Sequence, residues 1–125
     1  LQKTPRDFGP LLLVDDSEHI SAPYIAARLA AAPPRTLVVI DYLQVLDHRR
    51  DTPALGEQLR LHHRFAVERQ AIVVCLSQLR RGDAPASAPF PGLDDVRLPN
   101  PADLSLFSKS CFLHGGQARL VVHRH

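Results

Sequence analysis

Three apolar runs in this sequence end in residues able to do chemistry: Leu11–Val14 leads into Asp15-Asp16, Leu37–Ile40 into Asp41, and Ile72–Leu76 into Ser77-Gln78. A carboxylate at the end of a buried strand is an arrangement used to hold Mg²⁺ beside a phosphate, because Mg²⁺ takes one or two carboxylates and leaves its other positions to water and phosphate oxygens. The same residue types also serve structure. Asp41 could cap a strand end by accepting backbone N–H bonds, and Gln78 could bind the end of a neighbouring strand. Arg49-Arg50 and Arg80-Arg81 flank loops that follow these runs, so a phosphate or nucleic-acid patch is one reading of them. Solvated loop charge is the other, since Asp47, Asp51 and Asp83 sit among them and dilute the field.

Other chemistries find less support. His62 and His63 are adjacent, so on a helix they point about 100° apart, where chelation wants an i, i+4 pair. His123 and His125 share one face of a strand but are terminal. No Ser–His–Asp arrangement follows from spacing. Cys75 and Cys111 lie in apolar runs far from any C-x-x-C spacing, which predicts two buried, reduced thiols.

The bulk composition is that of a folded domain. With 125 residues, 45% hydrophobic and 22% charged, the chain is long enough for one core. A net charge of +2 provides no strong field toward nucleic acid or anionic lipid, although Arg supplies all but two of the 15 basic residues and suits bidentate phosphate contacts. No run approaches the roughly 18 apolar residues of a membrane span, and the first ten residues hold no signal-peptide core. A soluble, cytoplasmic protein with no membrane partner is expected.

The elements that must position these residues alternate. Leu11–Asp16 reads as a buried strand. Ser21 then N-caps a helix with Pro23 in its first turn, Ile20 and Ile25 at hydrophobic-staple spacing, and a stop at Pro33-Pro34. Thr36–Asp41 is a second strand, β-branched and without polar alternation, as expected where helices cover both faces of a parallel sheet. Thr52-Pro53 is placed as N-cap and first residue of a helix running to about Arg69, with Leu55, Leu59, His62, Phe65 and Ala66 on one side. Ala71–Gln78 is a third strand. Residues 82–101 hold five prolines and two glycines and read as an irregular loop. Residues 102–114 and 117–125 read as two strands of a hairpin turning at Gly115-Gly116. Strand, helix, strand, helix, strand is an α/β pattern with right-handed crossovers, and its ligand crevice lies outside the carboxyl ends of the strands. Asp41 and Gln78 belong to that edge.

Four ordered segments carry a family resemblance: "LLLVDDSEHIS…IAARLAA", "LVVIDYLQVL", "IVVCLSQLRRG" and "LDDVRLPNPADLSLF". Together they resemble the C-terminal RecA-like ATPase domain of the DnaB-family replicative helicases over roughly residues 11–122. The resemblance implies a three-layer RecA-like (P-loop NTPase-type), mostly parallel sheet, truncated, with a C-terminal β-hairpin, in one domain spanning 1–125. It implies that Asp41 is the Walker B acid holding Mg²⁺ through water, that Gln78 senses the γ-phosphate, and that Ser77 and Arg80 link that sensor to the DNA-facing side. It also makes single-stranded DNA, a replication protein and further copies of the chain its expected partners, with Arg80, Arg81, Arg97, Arg49 and Arg50 as candidate nucleic-acid contacts and the 82–101 loop facing a ring channel.

The departures from that family set the functional expectation. No G-x-x-x-x-G-K-[ST] occurs among the 125 residues, so no row of backbone N–H groups and no Lys cradle the phosphates. The strand carrying the family's catalytic glutamate is missing, "LPNP" replaces a Glu-Ser-Gly segment, and nothing occupies the position of the trans-acting Arg. The expectation is a DnaB-helicase-like module related to DNA replication that is not an ATPase by itself and binds no cofactor, Mg-ATP entering only if a phosphate loop is supplied. Two alternatives stand beside it: the C-terminal part of an ATP-dependent helicase whose phosphate loop lies outside this chain, and a weak single-stranded nucleic-acid binder. The absent strand should leave a bare sheet edge, so either the C-terminal strand pair closes up against Ala71–Leu76 or a second copy covers it.

Overall fold

A computed structural model of the chain describes residues 2–3, 12–47, 52–80, 89–98 and 100–123. Its centre is a parallel strand pair. β3 (Leu37–Asp41) lies in register with β4 (Ile72–Leu76), Leu37 opposite Ile72 and Asp41 opposite Leu76. The two earlier strands, β1 (Gln2–Lys3) and β2 (Leu13–Val14), pair only with each other, antiparallel. β2 is therefore no third parallel strand, and Leu12, Leu13 and Val14 are exposed rather than buried. Two paired residues per strand are too few to hold a covered sheet position.

Ser21 caps α1 (Ala22–Arg28) as its sequence predicts: its hydroxyl accepts the Tyr24 N–H, and Pro23 occupies the first turn. The helix ends at Arg28, short of Pro33. α2 (Leu55–Arg69) starts later than Thr52-Pro53 predicts, because Ala54 is its N-cap and supplies no side-chain hydrogen bond. The α2 C-terminus is closed by Gln70 in the left-handed region (φ 52°), with its N–H directed at the Ala66 and Val67 carbonyls. Arg69, in the last turn of α2, reaches back to the Ala30 and Ala32 carbonyls behind α1, fastening the two helices.

The inward residues of the parallel pair, Val38, Ile40, Val73 and Cys75, pack with Ile25 of α1 and Leu55 and Leu59 of α2. Leu43 and Leu46 of a 3₁₀ turn (Leu43–Asp47) fill the same core, and Val96 and Phe112 close it. The outward face is different. Leu37 (59% exposed), Val39 (55%), Ile72 (56%), Val74 and Leu76 form a continuous apolar ladder open to solvent, with Asp41 at its end. Both helices lie on one side, so among the described residues the expected cover on the second face is not found. The described residues form a small mixed α/β fold rather than a complete three-layer sheet.

The hairpin is β5 (Lys109–His114) and β6 (Gln117–Val122), turning at Gly115 (φ 56°) and Gly116 (φ 75°). Two consecutive positive φ values are what a two-residue type I′ turn requires. The first strand is shorter than expected because Leu104–Leu106 forms a 3₁₀ turn capped by Asp103, whose carboxylate accepts the Ser105 N–H. This hairpin is a separate two-stranded sheet and does not close up against β4. Its strand alternation exposes Cys111 beside Leu113, Leu120 and Val122, against the expectation of a buried thiol. Cys75 is half-buried on the inward face, and desolvation pushes its thiol up to about 11. Treatment of the native chain with iodoacetamide should therefore label Cys111 first, with Cys75 reacting only on unfolding; equal native rates would contradict the register of the inner face.

Candidate functional site

The register of β3 and β4 builds the site. Because Asp41 pairs with Leu76, the chain leaves the two strands side by side, Tyr42–Asp47 from one and Ser77–Arg80 from the other. Asp41 is exposed, and its carboxylate makes no hydrogen bond or ion pair with any described residue. The backbone-capping reading of Asp41 thus finds no partner among the described residues. The peptide bond between Asp41 and Tyr42 is cis.

Ser77 and Gln78 are both exposed, yet they are tied in from below. Gln44, buried in the turn that follows β3, donates through Nε2 to the Ser77 hydroxyl (3.0 Å) and to the Arg97 carbonyl (2.6 Å). Its Oε1 accepts a long bond from the Gln78 N–H (3.5 Å). The main chain adds to this junction: Arg97 N–H donates to the Gln78 carbonyl (3.0 Å), Arg80 N–H donates to the Asp95 carbonyl (2.7 Å), and Leu79 bridges Val96 antiparallel. The predicted irregular loop therefore contains order. Leu93–Asp95 is a 3₁₀ turn in which the Asp95 carboxylate accepts the Gly92 N–H (2.8 Å), and residues 95–97 are laced to the exit of β4.

The predicted arginines divide. Arg97 places a guanidinium N–H donor 3.4 Å from Gln78 Oε1, and Arg80 donates to the Asp94 carbonyl. Each thus has a protein acceptor, and Asp94 and Asp95 stand beside them. Arg49, Arg50 and Arg81 lie outside the described residues, as do residues 82–88 of the predicted channel loop. The structure thus ties Ser77, Gln78, Arg80 and Arg97 into one junction, beyond the strand end at which Asp41 pairs with Leu76. The earlier acidic run serves structure at Asp15, which accepts from Ser17 N–H and Tyr24 O–H and lies 4.0 Å from Arg28. Those contacts, led by the Ser17 N–H, hold its carboxyl below the usual carboxylate range.

As a metal centre the site is incomplete. Among the described residues no three His, Cys, Asp or Glu side chains gather around a point, so Asp41 belongs to no such cluster there. Mg²⁺ fits such a ligand when phosphate oxygens and water complete its shell, and the described residues supply no phosphate cradle. Among the described residues no helix is long and apolar enough to cross a membrane. No protein-family model matches the chain, and no curated protein or solved structure matches it.

Sequence reasoning missed Gln44 and Gln58. Gln44 lies among Leu43, Val45 and Leu46, Gln58 lies on the inner face of α2 between Leu55 and Leu59, and both are buried. Gln58 is fully buried: its Oε1 accepts the Ala22 N–H at the start of α1 (2.9 Å), and its Nε2 donates to the Leu46 (2.6 Å) and Pro53 (2.8 Å) carbonyls. The signal available was a polar residue on the apolar face, at Leu55–Gln58–Leu59–His62 spacing.

Proposed function

We infer that this chain is a DnaB-helicase-like module that carries the acid-and-amide half of a Mg-ATP site and does not hydrolyse ATP by itself. The observation that carries the reading is the in-register parallel pair, which sets Asp41 and the Ser77-Gln78 exit at one sheet edge. Asp41 would ligate Mg²⁺ through water and Gln78 would read a phosphate oxygen; neither replaces the N–H cradle and Lys from which phosphate affinity comes. The bare ladder of Leu37, Val39, Ile72, Val74 and Leu76 favours one refinement. Parallel sheets bury both faces, so a second polypeptide segment bearing the phosphate loop is the fitting cover.

Complementation tests this. A polypeptide supplying, from a DnaB-type helicase, the phosphate-loop strand, a G-x-x-x-x-G-K-T loop, its helix, the strand with the catalytic glutamate and the trans-acting Arg, mixed with this chain, should give ATP hydrolysis that Asp41→Ala abolishes. Hydrolysis by the present chain alone, or complemented hydrolysis indifferent to Asp41→Ala, would contradict the reading.

A further inference from the structure

The junction between the exit of β4 and residues 95–97 is held by main-chain bonds and by one buried side chain that reaches both segments. We propose that Gln44 is a positioning residue that latches the exit of β4 to the 95–97 segment and so fixes Gln78 relative to Asp41. The functional meaning of the latch rests on the nucleotide-site reading of Asp41 and Gln78; its existence does not.

Gln44 stands three residues after Asp41, in the 3₁₀ turn that continues β3, so its backbone moves with the acid. Its neighbours Leu43 and Leu46 are core residues, which hold the turn in place. The buried amide then reaches across to two segments remote in sequence. One Nε2 bonds both Ser77 Oγ and the Arg97 carbonyl, which uses its two N–H groups fully. The Gln78 side chain has no such anchor: its bond is to the exposed end of Arg97, itself displayed from the latched segment. Displacement of residues 95–97 therefore reaches Gln78 directly through the Arg97 N–H and reaches Ser77 through Gln44, which ties both movements to the turn that follows Asp41. Buried networks of this kind are valuable only when fully satisfied, and the side-chain part of this one is satisfied through Gln44.

The bonding pattern makes a graded prediction. Gln44→Leu removes every side-chain contact of the latch. Gln44→Glu keeps an acceptor to which the Ser77 hydroxyl can turn, but it places a carboxylate against the Arg97 carbonyl and loses that donor. Amide hydrogen exchange, read residue by residue in the full chain, separates these. In Gln44→Leu the Arg97 and Arg80 amides should exchange about tenfold faster, the size expected for a lost hydrogen bond of ordinary strength, while Ile72, which donates to the Thr36 carbonyl beside the parallel pair, stays protected. In Gln44→Glu the Arg97 amide should accelerate similarly. A bond from the Ser77 hydroxyl to the introduced carboxylate should meanwhile keep the nuclear magnetic resonance shifts of Ser77 and Gln78 nearer to those of the parent than in Gln44→Leu. Unchanged exchange at Arg97 and Arg80 in Gln44→Leu, or an equal rise at Ile72, would overturn the latch. So would indistinguishable Gln44→Leu and Gln44→Glu variants. None of these readouts involves nucleotide, so failure of the ATP reading leaves them intact.

Discussion

Gln58→Ala is expected to cost about 4 kcal/mol of stability, a large part of what a domain of this size possesses. The reason is the number of groups that depend on this fully buried amide. It accepts the Ala22 N–H at the opening of α1, and it donates to carbonyls on both sides of residues 48–51, at Leu46 and Pro53. Removing it strands one donor and two acceptors at roughly 1–3 kcal/mol each, and leaves a void between the helices. Gln58→Leu fills the void but restores none of the bonds, so it should recover only a minor part. Urea unfolding followed by far-ultraviolet circular dichroism measures this directly. A loss below about 1 kcal/mol in Gln58→Ala would mean that water satisfies these groups instead.

The second large effect is a pH dependence centred on His62. It sits on the inner face of α2, 5% exposed, with Nε2 lacking a hydrogen-bond partner among the described residues. Burial disfavours the imidazolium and lowers its pKa from 6.5 to about 4. The folded state therefore holds His62 neutral while the unfolded chain takes up a proton between these values. Stability is fully present above about pH 6.5 and falls as pH drops, flattening below about 4, for a total loss of about 3 kcal/mol. His62→Leu should abolish that component and leave stability at pH 7 equal or higher, since it removes a buried polar atom with no partner among the described residues. Asp15 contributes in the same direction at lower pH, because its carboxyl is also held below its ordinary range. The difference between parent and His62→Leu isolates the histidine. A difference that stays constant from pH 7 to 5 would show that His62 is not held neutral in the fold.

What is legible in the sequence is set by pattern strength. β3 and β4 appear where uninterrupted β-branched runs occur, the α1 cap where Ser21 precedes Pro23, and the hairpin where Gly115-Gly116 permits two positive φ values. The site follows from strand ends alone: Asp41 and Gln78 need only the rule that parallel strands present their carboxyl ends together. Three features are hidden. The apolar run at Leu11–Val14 has the composition of a core strand, but apolarity does not state which strand will pair with it. Thr52-Pro53 has the chemistry of a helix start, yet Gln58 uses the Pro53 carbonyl and the helix begins two residues later. Gln44 and Gln58 read as ordinary polar positions because their partners, up to 53 residues away in sequence, are created only by tertiary folding. The two-faced burial predicted for β3 and β4 assumes helices on both sides, and the described residues place both helices on one.

The exposed ladder and Asp41 at its end describe the same condition. On the proposed reading, a parallel pair with one bare face and a carboxylate at its end, unpartnered among the described residues, is half of a site. A cover that brings phosphate-binding N–H groups would complete the face and the phosphate-binding part of that site. Arg80 and Arg97 are exposed, and each uses part of its guanidinium on a neutral protein acceptor, which leaves its charge in place.

Isothermal titration of the chain with Mg-ATP tests this account most directly. The absence of a phosphate cradle predicts no binding tighter than about 1 mM, roughly −4 kcal/mol. A dissociation constant in the micromolar range, lost in Asp41→Ala, would contradict it by showing that these residues hold the nucleotide without further help.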